Sequence, residues 1–168
     1  RLLSLSAEAI GGDAARMYIQ EGVVDCALWD LAGRMTGVSV ASLLGGYRDR
    51  VKAYASTAPN LGSPEVYAEH AIECKKRGYT AYKVHANIYW DPEKEEPAPG
   101  KPAFPEADLE ICRAVREAVG DDMVLMLDPW GIYTLEESLY VGREIEKLDY
   151  YWFEYPMDER KTEPYRKL

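Results

Sequence analysis

Three short strand-like segments of this chain end in side chains able to do chemistry, and that placement limits the folds open to it more than any other feature. Four such segments run Val51–Ser56, Ala81–His85, Val124–Asp128 and Tyr151–Glu154, and the last three close on Lys83-Val84-His85, Asp128 and Glu154. Parallel barrels keep apolar residues inside their strands and place chemically active groups at the strands' carboxyl ends. Val124-Leu125-Met126-Leu127 is apolar at every position, as a strand covered on both faces must be.

Helical patterns alternate with these strands. Ser63-Pro64 is a start signal, an N-cap with proline at the first helical position, for a helix reaching Gly78. A second helix opens near Pro105, carries Leu109, Cys112, Val115 and Val119 on one stripe, and stops at Gly120. Thr134 and Glu137 form a capping box for a third, whose inward face reads Leu135, Leu139, Gly142, Ile145 and Leu148. Asp128 and Glu154 stand 26 residues apart, one βα unit with short loops. The fold class is α/β, a partial TIM-type (β/α) barrel of about the first four strands.

Before this region the pattern is all-helical. Residues 14–36 form a helix with Ala14, Met17, Val24, Ala27, Leu28, Leu31 and Met35 on one face, and a helical turn follows at Ala41–Leu44. Asn87–Phe104, with Pro92, Pro97, Pro99, Pro102 and the cluster Glu93-Lys94-Glu95-Glu96, is too proline-rich for helix or sheet. It reads as a long loop, either a functional lid or a solvated insertion. Four strands do not close an eight-stranded barrel, so the chain is expected to be a piece cut at both ends.

Composition sets outer bounds. A chain of 168 residues, 47% hydrophobic and 29% charged, can build a globular core. Its longest apolar runs fall far short of the roughly 20 residues of a membrane span, and no signal-peptide layout opens it, so no membrane partner and a cytoplasmic location are expected. A net charge of −9 argues against nucleic acid, which needs a basic footprint. Cys26, Cys74 and Cys112 are far apart and within helical patterns, and read as buried small hydrophobes.

Asp128 alone would be a turn residue before Pro129, and Glu154 alone a strand-end charge. Together, at equivalent positions on adjacent strands, they can share a hard cation; Mg²⁺ prefers such oxygen ligands. Lys83 and His85, two apart in a strand, lie on one face, and an imidazole is the side chain best suited to take a proton near neutral pH. Trp130, Trp152, Tyr82 and Tyr155 either line the pocket or pack. His70 reads as a surface residue, and Asp25 and Asp30 as structural bridges between domains.

Asp25-Cys26-Ala27-Leu28-Trp29-Asp30-Leu31-Ala32-Gly33-Arg34, continuing to Leu43-Leu44-Gly45-Gly46, resembles the segment that ends the capping domain in the mandelate racemase and muconate lactonizing branch of the enolase superfamily. Lys83-Val84-His85, the strand ending in Asp128, and Trp152-Phe153-Glu154-Tyr155-Pro156 follow in that family's order. The resemblance implies that residues 1–46 are the helical end of an α+β capping domain and 47–168 the first half of the barrel, with its long loop at 87–104. It implies a Mg²⁺-dependent enzyme that takes the proton α to a carboxylate and stabilises the enediolate. Asp128 and Glu154 are then the first two metal ligands, the third being expected beyond Leu168, with His85 the base and Lys83 beside it.

Trp130 departs from the asparagine of many relatives, and Tyr155 from a second glutamate. A small anionic hydroxy-carboxylate is the implied substrate and a homo-oligomer the expected whole protein. Acid-sugar dehydration is the preferred reaction, with racemisation or cycloisomerisation as alternatives, and a non-catalytic half-barrel as the reading of the isolated chain.

Overall fold

The computed structural model describes residues 14–94, 96–158 and 160–168. They fall into two compact units divided between Val51 and Lys52.

The first unit is helical: α1 (Ala14–Thr36) and α2 (Val40–Leu43). Ser39 caps α2 by accepting from the Ser42 backbone N–H at 3.1 Å. The expected apolar face of α1 is not covered: Val24, Leu28, Leu31 and Met35 are all exposed, as is Cys26, because no second layer lies over them among the described residues of this unit. Ala14 and Met17 lie outside the described side chains. The Asp30 carboxylate takes the Arg34 Nε–H at 2.8 Å one turn along the same helix.

The second unit alternates strand and helix. Its elements are β1 (Ala55–Ser56), α3 (Pro64–Lys76), β2 (Ala81–His85), β3 (Trp90–Asp91), β4 (Glu96–Pro97), α4 (Pro105–Val119), β5 (Val124–Asp128), α5 (Leu135–Lys147), β6 (Tyr150–Phe153) and α6 (Thr162–Tyr165). Strands β1, β2, β5 and β6 form one parallel sheet in that order. Helical crossovers between neighbouring parallel strands are the repeating unit of a (β/α) barrel wall.

Register explains how one sheet serves two purposes. Tyr82 pairs with Leu125 and Val84 with Leu127, while Lys83 pairs with Met126 and His85 with Asp128. Side chains alternate along a strand, so the first set faces the helices and the second the opposite side. The helix-facing set joins Tyr67, Ala71 and Cys74 of α3, Leu109, Cys112, Val115 and Val119 of α4, and Val141 and Ile145 of α5 in one buried cluster. Each large apolar side chain buried there contributes about 1.5–3 kcal/mol.

Three details differ from the sequence pattern. β1 is two residues long and not six, because Val51–Tyr54 make no ladder to β2. The buried line of α5 runs through Ser138, Val141 and Ile145, with Gly142 turned toward the Phe153 ring. The 87–104 segment, expected to hold no sheet, contains the antiparallel hairpin β3–β4, Trp90 opposite Pro97. Proline is tolerated there because a two-stranded ribbon leaves its missing N–H on the outer side. Asp91 closes the turn by accepting from the Glu93 and Lys94 backbone N–H groups at 3.0 and 3.3 Å; Glu95 lies outside the described residues.

No helix among the described residues is long and apolar enough to cross a membrane.

Candidate active site

The carboxyl ends of β2, β5 and β6 bring four side chains together. Lys83 Nζ lies 3.1 Å from Asp128 Oδ2 and 2.9 Å from Glu154 Oε2, so one ammonium joins two carboxylates. His85 Nε2 meets the same Asp128 oxygen at 3.1 Å. Glu154 stands one residue past β6 and keeps the sheet's spacing through its backbone N–H, which donates to Leu127 O at 2.8 Å. The ladder carries a bulge at this strand, Met126 pairing with Trp152 directly after Leu125 with Tyr150. That extra residue lets Tyr150 and Phe153 both pack toward the helices while Trp152 shares the side of Met126.

His85 is held on three sides. Its backbone N–H donates to Thr57 Oγ1 at 2.8 Å, its carbonyl accepts from Tyr67 Oη at 3.1 Å, and its ring Nδ1 meets the Thr57 carbonyl. A carbonyl only accepts, so this contact puts the hydrogen on Nδ1 and turns Nε2 to the site. Neither Thr57 nor Tyr67 stood out in the sequence; Thr57 follows β1, and the strand-end rule that singled out the other groups covers it too.

Burial by itself would lower the Lys83 pKa, but hydrogen bonds to Glu154 and Asp128 and their charges outweigh it and hold the ammonium above its ordinary value. Burial would raise Asp128; hydrogen bonds from His85, the Trp130 backbone N–H and Lys83 prevail and keep it below the usual carboxylate range. Two anionic oxygens meeting one cation are a donor set that suits a hard divalent ion, for which Lys83 is the competing charge. Among the described residues no group of three or more His, Cys, Asp or Glu side chains is arranged to hold a metal.

Aromatic rings frame the cluster. Tyr54 lies under Lys83, its ring centroid 5.4 Å from Nζ, and meets Trp152 edge-on at 5.8 Å. Trp152 donates its indole N–H to Glu154 Oε2 at 3.1 Å. Trp130 packs 5.3 Å from the His85 ring. Tyr82 does not line the site: it is fully buried on the helix side, where its hydroxyl bonds His70 Nδ1 at 2.8 Å. His70 is therefore half-buried and partnered, not a free surface residue.

The loops after β5 and β6 interlock. Gly131 N–H donates to Tyr155 O at 2.6 Å and Tyr133 N–H to Pro156 O at 3.0 Å. A Cβ on Gly131, whose φ is +71°, would fall 2.5 Å from the Tyr155 ring, so only glycine allows this approach. Behind the loops Asp108 of α4, fully buried, accepts from the backbone and side-chain N–H groups of Asn87 at 2.8 and 3.1 Å and from Tyr133 Oη at 2.6 Å. It ties the segment after β2 to the one after β5. Desolvation pushes its pKa up to about 6 against the lowering effect of those bonds. Sequence reading missed it because a helix-start aspartate ordinarily faces solvent.

A parallel (β/α) wall with a histidine, a lysine and paired carboxylates gathered at its strand ends is the arrangement of a class of barrel enzyme. The chain belongs to the enolase superfamily, in its mandelate racemase and muconate lactonizing branch: residues 66–168 match the family described as Enolase C-terminal domain-like. Among solved structures it is similar to D-glucarate dehydratase from Agrobacterium tumefaciens complexed with magnesium, with a TM-score of 0.75 and 44% identity over 86% of this chain and 37% of that one. It is 32% identical over 149 residues to D-galactarolactone cycloisomerase of Agrobacterium fabrum, covering 86% of this chain and 35% of the relative. To D-gluconate dehydratase of Thermoproteus tenax it is 34% identical over 153 residues, covering 86% and 28%. The chain thus spans about a third of the length of these relatives.

Proposed function

We propose that the whole protein removes the proton α to the carboxylate of a hydroxy-acid with the help of Mg²⁺, and that it is an acid-sugar dehydratase. One observation carries this reading: Lys83 sits between Asp128 and Glu154, with His85 Nε2 on the same Asp128 oxygen. The dehydratase names of several relatives and the magnesium complex of a structural neighbour support it.

Asp128 and Glu154 are the residues of this chain that would hold the ion. A divalent cation bound there supplies positive charge beside the substrate carboxylate. Lys83, released from one carboxylate, places a second positive charge on the same group. Thr57 holds one hydrogen on Nδ1; once Nε2 has given up the hydrogen it donates to Asp128, His85 takes the α-proton on that nitrogen. In a dehydration the imidazolium formed then gives a proton to the departing hydroxyl.

Racemisation and cycloisomerisation share the first step, and the cycloisomerase relative keeps the second of these as the alternative.

The test is exchange of the substrate α-hydrogen with solvent in the full-length protein. His85→Asn is expected to slow exchange by about 10²-fold or more, and Glu154→Gln to weaken magnesium binding in a calorimetric titration. Wild-type exchange in the histidine variant would end the assignment.

A further inference from the structure

Trp130 carries two features that plain packing does not explain. Its indole Nε1 is, among the described residues, the buried side-chain nitrogen or oxygen left with no hydrogen-bond partner. Its backbone φ is +59°, in the left-handed region that favours glycine and is unusual for a bulky residue. Buried donors are ordinarily paired, and each unpaired one calls for an explanation. Backbone strain of this kind gathers at functional positions. A phenylalanine or leucine would fill the space with no stranded donor, and an asparagine would take the backbone angle with less strain.

The position of the ring says what the donor serves. Trp130 packs 5.3 Å from His85, and its backbone N–H donates to Asp128 Oδ1 at 3.1 Å. On its outer side stands Trp90 of β3, perpendicular to it at 6.0 Å, so the 90–97 hairpin reaches the site through this ring pair. Gly131, pinned to Tyr155 by its 2.6 Å hydrogen bond, anchors the turn that carries Trp130.

We propose that Trp130 determines substrate specificity: its indole N–H donates to a hydroxyl of the hydroxy-acid bound against His85, and Trp90 forms the outer wall of that subsite. The inference rests on the reading of the site given above. The substrate carboxylate is drawn to Lys83 and the ion, which leaves a hydroxyl as the oxygen on the His85 side. Because the donor is shielded from solvent, the indole or Trp90 shifts to admit it.

The experiment compares, in the full-length protein with magnesium, kcat/KM for the acid sugar turned over best and for its monodeoxy analogues. The wild type should prefer the full substrate over one analogue by tenfold or more, as a site built around a substrate hydroxyl does. Trp130→Phe should reduce that preference to within twofold, with the larger fall in kcat/KM on the full substrate. Undiminished discrimination in the variant overturns the inference. A crystal structure of the wild type with the acid sugar decides the matter should the variant not fold: Nε1 within hydrogen-bond distance of a hydroxyl upholds the inference, and no ligand oxygen within reach overturns it. Turnover with unaltered selectivity sinks this inference alone. Failure to process any hydroxy-acid sinks the underlying reading as well.

Discussion

Thr57 holds His85 twice, its hydroxyl oxygen taking the His85 backbone N–H at 2.8 Å and its carbonyl meeting ring Nδ1. One residue of β1's end thus fixes both the strand position and the ring orientation of the proposed base. Thr57→Val keeps the shape and removes the hydroxyl, leaving a part-buried N–H unpaired at a cost of about 1–3 kcal/mol. Chemical denaturation of the full-length protein should show that loss. An unchanged midpoint would mean that water replaces the hydroxyl.

Lys83→Met leaves Asp128 and Glu154 facing each other with no cation. Breaking a buried pair costs about 3–5 kcal/mol, and the lower end applies because the Glu154 side chain is 40% exposed and water takes over part of its solvation. Without magnesium the variant should unfold at lower denaturant. Added magnesium should recover part of the difference by supplying the charge that the lysine gave.

Asp108 predicts a pH dependence of stability. Its folded pKa, about 6, lies above the ordinary 3.8, so the folded state holds this proton more tightly than the unfolded chain does. The contribution is fully present below pH 4 and is lost as pH rises through 6, amounting to about 3 kcal/mol at most. Relative to Asp108→Asn, the wild type should therefore lose stability between pH 4 and 7. A flat difference across that range would show that Asp108 is not titrating in the fold.

Gly131→Ala meets both the positive φ and the Tyr155 ring 2.5 Å from the new methyl. The backbone part costs about 1–2 kcal/mol and the collision adds about as much. Tyr155→Leu should relieve the collision and not the backbone part, so the double variant should melt between Gly131→Ala and the wild type. Strict additivity would show that the two loops do not touch as described.

Local signals made the legible part of this fold legible. β2 and β5 have the bounds their apolar runs predict, and the Thr134–Glu137 box and the Pro64 and Pro105 starts act within a few residues. Lys83, His85, Asp128 and Glu154 could be placed at one rim from strand ends alone. Tertiary partners decided the rest. Thr57, Tyr67 and Asp108 matter through bonds to residues 18 to 28 positions away, which no periodicity records. Strand β1 is short for want of ladder bonds, and the 90–97 hairpin forms despite its prolines, its Trp90 ring meeting Trp130 from a distant part of the chain.

The pairing of His85 with Asp128 also bears on how such a site can change over generations. Adding or removing a single residue inside β2 would turn Lys83 toward the helices and bring Tyr82 or Val84 into its place. Point substitutions can therefore retune the mouth, whereas length changes are confined to the loops, where the Asn87–Phe104 segment accommodates its many prolines.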